Sequence, residues 1–427
     1  MKFIILGGGL AGLTAAYKLS KKGSKVTILE KEGFLGGLAS SYEIKWGGKK
    51  LLVPKTYHHI LAGDKTTIKL LEELNLDKKL HRKKVKTGFV YKNKIFGFST
   101  PTEILKFPLP FIDKFRLAKF ILKVSKKKNW DDTEKMNARD WIIKEAGQKN
   151  FDMFFEQLIR NKFNQPAEEI SAAWFGTRFA VEPSSFLKKF GWVEGGIQQL
   201  IDRLKEEIEK NGGKIKTNVK LEKIVKKGNL VEYSNKGKIV RENSDIIIST
   251  IPPESFLEAI IDPSETVKKE MDKIEYLGCI CVCIGLNYSP TKYYWLNILD
   301  KDIPFRALFN YTQLFEDLAP QGKSILFLVT YLRKSDEFWK KSEKEILNDY
   351  INSLEKMFPG CKDRIEWHKL VKFDYSEAIF NLGFKNPPIS DGNIYFAGIY
   401  RIFPKIRNMA SAIESGLEVV ETLEKKK

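Results

Sequence analysis

A chain of 427 residues exceeds what one hydrophobic core usually organises, since single cores stop growing near ~250–300 residues, so two interleaved domains are expected. With 43% hydrophobic and 30% charged residues, the composition excludes a fibrous or extensively disordered chain and fits a soluble globular one. The formal charge of +19 is mostly lysine, clustered at 78–86, 123–128 and 425–427; it could draw an anionic partner, but a solvated lysine-rich surface is the preferred reading and no nucleic-acid partner is expected.

The N-terminus has no secretory pattern, because glycines interrupt the apolar run after Leu6. The longest apolar stretch elsewhere, 277–286, is half the ~20 residues of a membrane-spanning helix. A cytoplasmic protein is expected, with four cysteines that form no disulfide framework. Cys279, Cys281 and Cys283 alternate within 277–286 and read as small residues on one face of a core strand, not as a metal site.

In chain order, Phe3-Ile4-Ile5-Leu6 is a continuous apolar run of the kind found in a strand covered on both faces. It meets Gly7-Gly8-Gly9-Leu10-Ala11-Gly12, a G-x-G-x-x-G sequence, after which Leu13, Ala16, Tyr17 and Leu19 recur at helical spacing until Gly23. A second apolar run, Val26-Thr27-Ile28-Leu29, ends in Glu30. This strand, glycine turn, helix and strand with a terminal acid is the dinucleotide-binding pattern: Gly7 makes the turn, Gly9 admits the pyrophosphate to the backbone, and Gly12 lets helix and strand pack closely. Free N–H groups of the helix meet the negative charge, and Glu30 accepts from ribose hydroxyls.

Glu30-Lys31 is followed by a second glycine pair in Gly36-Gly37-Leu38-Ala39. The stretch from Phe3 to Ala39 resembles the N-terminal signature of the flavin superfamily of protoporphyrinogen oxidases, phytoene-type desaturases, flavin amine oxidases and UDP-galactopyranose mutases. That resemblance implies FAD as cofactor, with the second glycine pair close to it. Two further segments extend the match: Gly195-Gly196 opening a helix to Lys210, then a strand at 214–217 and Val219, whose backbone position serves the adenine in relatives; and Asp245 to Pro253 as a returning strand ended by prolines. Near the C-terminus, Tyr395-Phe396-Ala397-Gly398 and the segment Asn408-Met409-Ala410 resemble the family's closing flavin motif, although Ile399 stands where relatives carry an acid.

The expected fold is mixed α/β, with a Rossmann-like FAD domain assembled from 1–75, 192–255 and 372–427. Segments 76–191 and 256–371 are expected to form a substrate domain with a mixed or antiparallel sheet and helices. In such a protein the flavin accepts a hydride from a substrate C–H bond, and the residues supply orientation and exclusion of water. His58 and His59, two of four histidines, fall where relatives carry a loop beside the flavin ring; on a strand only one of them would face it. Arg401 and Arg407 flank Pro404 and are candidates for a carboxylate or phosphate.

The segment 96–128 mixes phenylalanines, prolines and lysines. A basic, aromatic stretch can lie in a membrane interface, giving peripheral association at the inner membrane face; a helical lid over the substrate domain is the preferred alternative. The function implied is an FAD-dependent oxidoreductase, amine oxidase-like or protoporphyrinogen oxidase-like, acting on a small-molecule substrate that is hydrophobic or an amine. Two alternatives are a flavin-dependent UDP-sugar mutase and a non-catalytic, prenyl-binding escort protein on the same fold.

Overall fold

The computed structural model describes residues 1–61, 63–181 and 189–426. The first apolar run forms strand β1 (Lys2–Leu6), the glycine loop leads into helix α1 (Leu10–Lys21), and the next run forms strand β2 (Lys25–Leu29). Phe3, Ile4, Ile5 and Leu6 are all buried because β1 is covered on both faces, as an unalternating apolar strand requires. Beyond the last turn of α1, Gly23 takes a left-handed φ of 78°, a conformation that costs glycine little.

β1 lies inside a six-stranded sheet whose order is 390–391, 394–396, 246–249, β1, β2 and 214–216. Ile4 sits between Ile247 on one side and Thr27 on the other, so segments far apart in sequence share one parallel register. Three helices, α1, Gln198–Lys210 and Met409–Lys425, contribute Leu13, Leu204 and Ile413 to a common core with Ile28 and Ile248. Contact between the first and last helices is close: a Cβ on Gly416 would lie 2.3 Å from the carbonyl oxygen of Ala11.

A second, seven-stranded sheet runs in the order 365–378, 276–286, 324–332, 307–310, 295–298, 87–91 and 94–97. Its inner strand Tyr276–Leu286, between 365–378 and 324–332, is buried nearly throughout and alternates between two cores. Ile280, Val282 and Ile284 pack with Ile346, Tyr350 and Leu354 of helix Glu343–Met357, while Cys279, Cys281 and Cys283 face the other way with Phe327 and Val329. The three thiols are thus packed side chains, and burial pushes Cys279 up to about 11. Over that second face lies a helical layer built from Phe111–Lys126, Ala138–Ala146, Glu156–Phe163 and Ala172–Val181. A smaller four-stranded sheet carries Val219–Val225.

The mixed α/β fold expected from the sequence is the one observed. The expected boundary 371/372 falls within strand Ile365–Ala378, and 191/192 within strand Phe190–Val193, which pairs with Leu80–Lys83. No helix among the described residues is long and apolar enough to cross a membrane.

Candidate functional site

Between the two large sheets runs a cleft of about 970 Å³. It begins at the glycine loop, where the carboxyl ends of β1 and β2 stop and α1 starts, and ends against the strand Ile365–Ala378 and the His58–His59 segment. The glycines at this end of the cleft stand in different surroundings. At Gly12 an added Cβ would meet the Gly7 carbonyl oxygen at 2.1 Å, and at Gly36 it would meet Ile201 at 2.4 Å, so the protein's own packing excludes a side chain. At Gly9 the backbone is ordinary extended chain (φ −76°, ψ 178°) and an added Cβ would find no atom within 4 Å. The space at Gly9 opens into the cleft, at the N-terminus of α1, where unpaired N–H groups and the helix dipole favour an anion.

Glu30 closes this end. Its carboxylate accepts from the Gly8 N–H at 2.6 Å and the Glu32 N–H at 2.9 Å, which fixes its rotamer while four lone-pair positions leave room for further donors. Lys31, Gly37, Leu38 and Ala39 line the cleft beside it. The second glycine pair is tied to the first loop, since Gly36 donates its N–H to the Gly8 carbonyl at 2.8 Å. Val219 also lines the cleft, but its N–H already donates to the Glu30 carbonyl at 2.9 Å. Gly8, Gly12 and Ala410 sit behind the lining and support it.

The C-terminal motif enters from the opposite wall. Asn408 caps helix Met409–Lys425, accepting the Ser411 N–H at 2.7 Å, and its amide donates to Asp64 at 3.1 Å. Gly398, Ile399, Asn408 and Met409 line the cleft, while Leu10 and Ala11 of the first helix line it from the glycine-loop side. Burial raises the Asp64 carboxyl to about 6, against the pull of the Leu61 N–H that it accepts.

His58 and His59 are not on a strand; the chain from Tyr57 to His59 is irregular, so the alternation expected for adjacent residues does not operate and both line the cleft. His58 Nδ1 donates to the Thr56 carbonyl at 3.0 Å, and His59 Nδ1 shares a hydrogen bond of 2.9 Å with the Tyr294 hydroxyl. Burial lowers the first imidazole to about 4 and the second to about 3, with His58 and Arg178 adding to the effect on His59. Near neutral pH both rings are uncharged, and neither is a proton donor of the imidazolium type.

The two candidate arginines part company. Arg401 points away from the cleft, with its guanidinium on the carbonyls of Pro387 and Phe396, each at 3.0 Å, and on Glu418. It holds the closing loop to the last helix. Arg407 reaches the cleft, donating to Glu377 at 3.0 Å and to the Tyr331 hydroxyl at 2.9 Å, and that phenol is 2.9 Å from the Tyr57 hydroxyl. Lys162 completes the knot, 3.0 Å from Glu377 and 3.9 Å above the Tyr331 ring. The flanking cations hold the Glu377 carboxyl below its ordinary value although burial opposes them.

Past this knot a smaller chamber of about 120 Å³ opens, sharing Tyr57, Lys162, Arg178 and Trp295 with the cleft. Rings form its walls: Phe154 lies 4.6 Å from Phe89 and is stacked on Phe98 at 5.6 Å. Phe154 reaches it from a π-helical turn, Phe151–Phe155, a local widening that often marks functional sites. The volume is close to the ~150 Å³ of an engineered apolar cavity that accepts benzene. Lys162, Glu377 and Tyr331 lie on elements with no motif of their own, so periodicity alone could not have singled them out; Arg407 and Tyr57 stood beside residues that could.

The description "Flavin containing amine oxidoreductase" belongs to the family model that matches residues 10–423. A relative, 4,4'-diapolycopen-4-al dehydrogenase of Metabacillus indicus, is 21% identical, over 93% of this chain and 92% of its own length. Among solved structures, reduced UDP-galactopyranose mutase superposes with a TM-score of 0.79 at 16% identity, covering 100% of this chain and 96% of that one. Putrescine oxidase bound to putrescine gives 0.75 at 15% identity, covering 100% and 99%. These two likenesses establish the fold, and the match along nearly the whole chain establishes more: this protein is a member of the flavin containing amine oxidoreductase family.

Proposed function

We propose that this oxidoreductase binds FAD in the cleft and takes a hydride from a C–H bond of a substrate whose apolar group enters the aromatic chamber. The observation that carries the cofactor assignment is Gly9, where neither backbone conformation nor packing asks for glycine and the space left open faces the cleft at a helix N-terminus. In this reading the pyrophosphate lies on Gly9, Leu10 and Ala11, a ribose on Glu30, and the opposite wall is Gly398, Asn408 and Met409. The six-stranded sheet with its helices is then the cofactor part, and the seven-stranded sheet with the helical layer is the substrate part.

When bound, the flavin supplies the hydride acceptor. The residues of the chain do the rest. Phe89, Phe98 and Phe154 exclude water from the substrate's apolar group, and the Tyr57 to Tyr331 hydrogen bond, anchored by Arg407, fixes the phenol at the chamber mouth. Uncharged His58 and His59 add nothing to the cationic charge that Lys162, Arg178 and Arg407 already bring to this part of the cleft. The chamber size favours one ring or a short branched chain in the pocket itself.

The test is a visible spectrum of the purified chain, then denaturation and chromatography of the released cofactor, with FAD expected. Anaerobic bleaching by amines, polyenes, porphyrinogens and UDP-sugars then sorts the substrate class, with bleaching by a ring-bearing amine or polyene expected. A colourless, folded chain that refuses added FAD defeats the proposal and favours an escort-type protein.

A further inference from the structure

We propose that the outer face of helix Phe111–Lys126, with the adjoining Leu105, is a docking surface for an anionic lipid bilayer. Nine large apolar side chains are exposed among the described residues, and five of them lie here: Leu105 at 55%, Phe111 at 77%, Ile112 at 57%, Phe115 at 64% and Leu122 at 58%. The helix does not need that face for its own attachment. Leu117, Phe120 and Val124, on the opposite side, are each 1% exposed and hold it to the helical layer, with Phe120 against Trp141, Phe155 and Phe179. Phe111, Phe115 and Leu122 recur at intervals that place them on one side of the helix, with Ile112 adjacent. Lys114 donates to the Leu105 carbonyl at 2.6 Å and brings Leu105 to the same edge. A helix with apolar residues on both sides is thus a lid inside and an unpartnered surface outside, and exposed phenylalanines so concentrated mark an interaction site.

Charge selects the partner. Segment 101–128 holds eight lysines and arginines against two acids, Glu103 and Asp113. Asp113 pairs with Arg116 at 3.4 Å and Glu103 accepts the Ser99 N–H, while Lys106, Lys119, Lys126 and Lys128 form an exposed rim. Lys123 pairs with Glu145 at 2.6 Å and Lys127 with Asp132 at 2.7 Å. A second copy of the chain would bring like charges together around the apolar centre, whereas lipid phosphates supply the opposite sign and the acyl region takes the rings. At 16 residues the helix is too short to span a bilayer and suits the interface plane.

The test does not depend on the proposed chemistry, since it reads partition and not turnover. The purified full chain is sedimented with phosphatidylcholine vesicles made with and without phosphatidylglycerol. It should pellet with the anionic vesicles, less with the neutral ones, and be released by salt. The double variant Phe111→Ser with Phe115→Ser should partition roughly tenfold less or weaker at unchanged melting temperature. Lys119→Glu with Lys126→Glu should lose the phosphatidylglycerol preference. Equal partition of wild type and the serine variant, or no pelleting with either vesicle, overturns the proposal; so does a serine variant that splits a dimer during gel filtration without changing vesicle binding.

Discussion

At the glycine-loop end of the cleft, the surface is mostly backbone: Gly9 with open space beyond it, N–H groups at the start of α1, and a carboxylate, Glu30, held in place by two more N–H groups. At the aromatic end the surface is side chains, with Tyr57, Lys162, Tyr331, Glu377 and Arg407 drawn from five separate segments and a wall of phenylalanine rings. The first is built by contiguous residues whose conformation is set locally; the second exists only when the seven-stranded sheet, the helical layer and the closing loop are in place. A backbone surface presents its N–H groups in one fixed arrangement. A side-chain surface can be re-cut for different substrates while the sheet beneath it stays the same.

The sharpest way to break that comparison is Gly9→Val. A Cβ there meets no protein atom within 4 Å, so the variant should fold with an unchanged apoprotein melting temperature and lose flavin almost completely, measured as absorbance per chain. Gly12→Val should do the reverse, losing about 1–3 kcal/mol of stability or more, because its Cβ lands on the Gly7 carbonyl. Equal flavin content in wild type and a folded Gly9→Val variant would mean that the backbone is not the binding surface. Next in size is Glu377→Gln at the other end. Removing the buried charge that Lys162 and Arg407 share should cost about 3–5 kcal/mol in denaturant unfolding while leaving the glycine-loop end intact.

The pH dependence of stability probes the wall between the two ends. His58 and His59 titrate below the ordinary 6.5 in the folded chain, at about 4 and about 3, so between these values and 6.5 the unfolded chain binds more protons and stability falls as pH drops. Replacing both with Gln should flatten the melting temperature between pH 6.5 and 4 relative to wild type. Asp64, raised to about 6, acts in the opposite sense and is common to both proteins, so the difference between the two profiles reports the imidazoles. Identical profiles would show that the two rings are solvated in the cleft and not desolvated by it.

The glycine loop, the acid at the end of β2, the returning strand and the closing helix are all legible in the sequence. Each is a local pattern: a run of buried residues, glycines at fixed offsets, an Asn where a helix begins. The alternation of Cys279, Cys281 and Cys283 in a core strand was legible for the same reason. Which of two arginines reaches the cleft was not, because Arg401 and Arg407 share a loop and differ only in what the fold sets beside them, three acceptors for one and Glu377 with Tyr331 for the other. Nor was the exposure of Phe111 and Phe115 decided by their own apolar character, since Phe120 on the same helix is buried. Local conformational preference travels with a few neighbouring residues and can be read from them, whereas burial, charge pairing and the meeting of distant segments are properties of the packed whole.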